Sequence, residues 1–97
     1  MREILGVRDV YPAVDELIAE LNSAGSSELA GILHHRMHIV AWTTGSELHE
    51  ELRLVLSGAL ESPGAELPEA VTKQIRRLIE VIDAGIAQRK ARTRRVL

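Results

Sequence analysis

Apolar side chains return every three or four residues along almost the whole of this chain. Nowhere do Val, Ile, Thr or aromatic residues alternate at the two-residue period of a half-buried strand. A 3.6-residue period gathers apolar side chains into one stripe of a helix, and such a helix becomes stable mainly by burying that stripe against another. In the first segment the stripe is Val10, Val14, Leu17, Ile18 and Leu21. Pro12 stands where a first helical turn tolerates it, and Gly25 supplies a C-terminal stop, which predicts a helix over about residues 11–24.

Ser26 or Ser27 then caps a second helix with the stripe Leu29, Ile32, Leu33, Met37 and Val40, ending near Trp42. A third opens at Thr44-Gly-Ser-Glu47, a capping box in which the hydroxyl accepts one orphan amide and the glutamate reaches back to another. Its stripe is Leu48, Leu52, Val55, Leu56 and Ala59. The run ESPGAEL, residues 61–67, reads as the one longer loop. Pro68 opens the last helix, whose stripe of Val71, Ile75, Leu78, Ile79, Ile82 and Ile86 stops where QRKARTRR begins. The expected architecture is all-α, a four-helix antiparallel bundle filling residues 1–97 as a single domain, with a longer C-terminal helix and a basic tail from about residue 88. A last helix over 68–90 would measure about 34 Å and overhang the others by roughly 10 Å, the tail fraying at its end.

Composition narrows the activities. The chain has no cysteine, which removes disulfides, zinc ribbons and thiol catalysis and fits a reducing cytoplasm. Its longest apolar run, Ile39 to Trp42, is far short of a membrane span, and its first residues open no signal segment, so a cytoplasmic protein without a membrane partner is expected. Tyr11 and Trp42 are the only aromatic residues and no glycine-rich phosphate loop is present. Catalysis would have to rest on His34, His38 or His49 with a glutamate, and neither an enzyme nor a cofactor is expected.

Three of the four histidines crowd into HHRMH, residues 34–38. On a regular helix His34, His35 and His38 fall opposite the apolar stripe, with His34 and His38 one turn apart as a two-histidine metal clip requires. The same face offers no third ligand, and Arg36 and Met37 replace the glutamate of a His-Glu-x-x-His motif. The expectation is a solvated face without metal. Arg36 projects into the apolar arc, so either its stem snorkels or its guanidinium meets a carboxylate at the edge of the bundle.

Charge is distributed unevenly. Residues 1–70 hold 12 carboxylates against 4 arginines, a net of −8, whereas residues 71–97 hold 8 Lys and Arg against 2 carboxylates, a net of +6. Asp15, Glu16 and Glu20 on the first helix and Glu47, Glu50 and Glu51 on the third lie off the apolar stripes, with Glu61, Glu66 and Glu69 around the loop. They form a candidate docking surface for a basic protein, and the bland alternative is a solvated surface paired internally with the last helix. Nucleic-acid association through the basic tail is the rival reading. The Trp42-Thr-Thr-Gly45 connection suggests a helix-turn-helix, yet the would-be recognition helix presents Glu47, Glu50 and Glu51, which phosphates repel. Leu54, off its stripe, with Ile39 and Trp42 at the margin of theirs, offers a homodimer contact.

The segments LIAELNSAGSSELAGIL, TTGSELHEELRLVL and LPEAVTKQIRRLIEVIDAGI resemble those of small all-helical bacterial proteins of poorly characterised function, some thought to be immunity partners of secreted or contact-delivered toxins. The resemblance spans residues 13–86 through helix caps and core stripes. It implies a helical fold and a role as a toxin inhibitor. It carries over no binding residue, and HHRMH lies outside its pattern.

Overall fold

The computed structural model describes residues 3–42, 45–61 and 67–96, of which 90–96 are described by their backbone alone. A 3-10 turn at Val7–Asp9 leads into helix α1 (Val10–Ser23), followed by α2 (Ser27–His34), a π-helical turn (His35–Ile39), α3 (Gly45–Glu61) and α4 (Glu69–Val96), with no strand among the described residues. The all-α four-helix architecture is the one the periodicities predict.

Local chemistry sets the ends of α1. The Asp9 carboxylate accepts hydrogen bonds from the amides of Leu5 (3.0 Å) and Gly6 (3.2 Å), fixing the turn that feeds the helix. Pro12 lies within the first turn, where amides have no intrahelical partner to lose. At the other end Gly25 adopts φ 83°, a left-handed conformation that a side chain makes costly. That turn lets the Ser26 amide reach back to the Leu21 carbonyl at 2.8 Å and the Ala24 amide to Glu20 at 2.9 Å.

Two expected boundaries need revision. Helix α2 does not run regularly to Trp42: α-helical bonding ends at His34, the Val40 amide bonds the His35 carbonyl five residues back, and Val40 itself is extended. The last helix does not stop near residue 90 but continues to Val96, making 28 residues against 17 in α3. The apolar stripe was a poor guide to its end, because Arg, Lys, Gln and Ala are good helix formers and cations at a C-terminus complement the helix dipole. Thr44 of the capping box and most of the 61–67 loop lie outside the described residues.

Short connections make neighbouring helices antiparallel, with α1 packed along α2 and α4, and α3 along α4. Helices α2 and α3 touch only lightly. The core is aliphatic: Val10, Val14, Leu17 and Leu21 of α1, Leu33 of α2, Leu52 and Leu56 of α3, and Ile75, Leu78 and Ile82 of α4 are fully buried. Ile4, outside every predicted helix, joins them, and its carbonyl accepts a 2.9 Å bond from the Arg77 guanidinium. Ile32, by contrast, was expected in the core and is 38% exposed, because the side of α2 that faces α3 is left open.

Replacing Gly25 with Ala is expected to cost about 1 kcal/mol, from the left-handed backbone that alanine disfavours, and to lower the melting temperature by roughly 4–8 °C. Thermal unfolding followed by circular dichroism measures this. An unchanged midpoint would mean that the turn relaxes at no cost.

Candidate functional site

HHRMH sits across the change from α to π bonding, so its side chains do not follow a regular 100° wheel. The His34 and His38 rings are 5.1 Å apart and tilted by 44°. His38 is not merely solvated: its Nε2 lies 2.7 Å from Asp15 Oδ1 on α1. Arg36 takes the second of its two expected arrangements, its Nε donating to Glu51 Oε1 on α3 at 3.1 Å. Its Nη1 stands 2.9 Å from His35 Nδ1, and its carbonyl accepts from the Trp42 indole. A helix leaves its last carbonyls without intrahelical donors, and Trp42 satisfies one of them here. The π turn thus links α1 to α3. Among the described residues no three His, Asp or Glu side chains converge as a metal-binding group.

A second polar node was hidden from sequence pattern. His49, on the flank of the α3 stripe, is only 5% exposed and packs against Tyr11 with ring centroids 5.4 Å apart. Arg89 Nη1 lies 3.3 Å from His49 Nδ1. A guanidinium can only donate, so Nδ1 accepts and the ring proton resides on Nε2, which is buried without a partner among the described residues. Burial and then the Arg89 charge both oppose protonation, and they hold the His49 pKa below the usual histidine value.

The candidate acids divide into two groups instead of forming one face. Helices α1 and α3 lie diagonally across the bundle and meet at their first turns, through Tyr11 and His49. Of the first group, Asp15 is exposed but engaged by His38, Glu16 is half-buried and Glu20 is exposed. Of the second, Glu51 is held by Arg36, while Glu47 and Glu50 are exposed. Between α3 and α4, Arg53 of α3 pairs with Asp83 of α4.

The outer face of α3 continues beyond the predicted acids. Glu47, Glu50, Leu54 and Glu61 recur at steps of three, four and seven residues, so they share one side of the helix, and all are exposed. Beside them α2 and α3 part to form an open groove of about 650 Å³ lined by Glu28, Leu29, Ile32, Leu54, Gly58 and Leu67 among others. Glu28 and Gly58 were absent from the sequence-derived docking set. Their spacing relative to Leu54 and Ile32 was the signal available. No family model matches the chain, and neither does any curated protein or solved structure.

His49 makes stability depend on pH in a defined sense. A histidine whose folded pKa is lowered binds its proton more readily when unfolded, so its contribution is complete above about pH 6.5 and is lost as the pH falls through the lowered folded value. Urea unfolding between pH 7.5 and pH 4.5 is expected to show a loss of stability on acidification that is smaller in His49→Phe than in the parent. Equal losses in the two proteins would assign the acid sensitivity to other groups.

Proposed function

We propose that this chain is a non-catalytic protein-binding module that docks a basic partner through the outer face of α3, and that its biological role is that of an inhibitor, an immunity protein neutralising a bacterial toxin domain. The observation that carries the reading is the exposed row Glu47, Glu50, Leu54 and Glu61, with Leu54 63% exposed. An exposed leucine flanked by carboxylates suits a surface with an apolar anchor and a charged rim, and the −8 balance of residues 1–70 favours encounter with a cationic protein. Such an inhibitor needs a rigid scaffold and carboxylates where its target expects phosphates, not a reactive group.

The α4 helix favours a second reading. Continuing to Val96, it carries the sequence's Arg89, Lys90, Arg92, Arg94 and Arg95 on regular helical backbone, a cationic element suited to nucleic acid.

The two readings separate experimentally. Cross-linking in the native host, followed by identification of the captured protein, supplies the partner, and stopped-flow kinetics then test the charge. Reversing Glu47, Glu50 and Glu61 to Lys leaves the Arg36–Glu51 pair intact and is expected to slow association about tenfold with little change in dissociation, as is raised salt, because exposed charges act mainly on encounter and are screened over about 8 Å. Helical signal should persist, since all three positions are exposed. An acidic partner docking on residues 89–95, or an association rate indifferent to the reversal, would give way to the nucleic-acid reading.

A further inference from the structure

We infer that the groove between α2 and α3 seats a basic amphipathic helix supplied by the partner, which lays an apolar side chain over Gly58 and sets lysines or arginines against Glu28, Glu50 and Glu61. The inference rests on the docking reading above and adds the form of the ligand.

The shape of the groove comes first. Its two walls are helices, its volume is about 650 Å³, and at its lips Leu54 and Ile32 are 63% and 38% exposed, apolar surface left open among the described residues. From Glu50 to Glu61 the α3 wall measures about 17 Å, room for roughly three helical turns. Among the described residues there is no strand whose edge could pair with an extended peptide, and no aromatic residue lines the groove to hold a proline-rich one. A helix laid in the groove is the mode that remains.

Gly58 supplies an independent observation. Glycine inside a helix costs about 0.5–1 kcal/mol relative to alanine, a cost that close packing or an unusual backbone normally explains. Here φ is not positive, and a Cβ built at Gly58 would meet nothing within 4 Å. The space above Gly58 therefore serves no packing need among the described residues, and it opens into the groove beside Leu54.

Charge selects the ligand. Glu28 lines the groove, Glu50 and Glu61 stand along its α3 rim, and none of the described lining residues is Lys, Arg or His. An acidic or neutral helix would gain only the apolar contact, while a helix with flanking cations gains complementary charge as well. The fit is to a helix with leucine-like side chains on one stripe and lysines or arginines beside it.

The probe is a synthetic amphipathic peptide with leucines at i, i+4 and i+7 and lysines flanking them, compared with a scrambled peptide of the same composition. Titrated into the full-length protein, the patterned peptide should bind about tenfold tighter than the scrambled one and shift the amide resonances of Ser26–Ile32 and Leu54–Ala59. Gly58→Gln, which removes no contact of the fold, and Leu54→Ser should each weaken binding about tenfold, with Gly58→Gln melting at or above the parent temperature. Equal affinity for the two peptides, shifts centred on another face, or a Gly58→Gln protein that binds like the parent would overturn the inference. So would a dimer of the free protein, seen by sedimentation, that Leu54→Ser dissolves, because the groove would then belong to a second copy. Once the native partner is in hand, failure of the groove and failure of the docking reading are distinguishable. A partner lost on reversing Glu47, Glu50 and Glu61 but held normally by Gly58→Gln removes only the groove.

Discussion

Arg36 ties together the end at which the chain passes from α2 to α3. Its guanidinium reaches Glu51 near the start of α3, while its carbonyl is held by Trp42 in the connection between the two helices, so one end of the pair is pinned from both sides of the chain. The ion pair is about one-third exposed and on its own contributes little, on the order of 1 kcal/mol. Its importance is geometric. With one end pinned by polar contacts, and with little packing between α2 and α3, the far ends open around Ile32, Leu54 and Gly58. The π turn belongs to the same constraint, since it carries Arg36 toward α3 and His38 toward Asp15 of α1.

Most of the fold was legible because its signals are local. The 3.6-residue stripes locate four helices, and Gly25 marks the end of α1, where a left-handed residue is needed whatever the tertiary context. The polar nodes were not legible for the converse reason. His49 lies on the flank of a stripe and is buried only because Tyr11 and Arg89, 38 and 40 residues away in the chain, close over it. A helical wheel compares a residue with its own helix, so it placed His38 in solvent without registering Asp15 on the neighbouring one. Ile4 escaped notice because it is buried from a segment without periodicity, and α4 outran its predicted end because helix propensity persists where amphipathicity stops.

The division of charge takes on a spatial form in the fold. Its acids are shared between α1 and the outer side of α3, while the cationic stretch belongs to the longest helix, which stretches the molecule to 48 Å against 26 and 25 Å in the other directions. Arg89, where that stretch begins, is tied to the core through His49. The positive end of the molecule is thus coupled to an internal group whose protonation it disfavours.

The scarcity of aromatic residues has an optical consequence. Trp42 and Tyr11 are the only indole and phenol in the chain, and each stands at a different polar node, Trp42 on the carbonyl of Arg36 and Tyr11 on the ring of His49. Excited at the red edge of its absorption, the indole alone emits, and its wavelength reports whether that end of the α2–α3 pair stays closed. The phenol's near-ultraviolet dichroism reports on the packing of the other node. Unlabelled protein therefore carries two built-in gauges at opposite flanks of α3, and events at the Arg36 hinge and at the buried histidine can be followed separately in one cuvette.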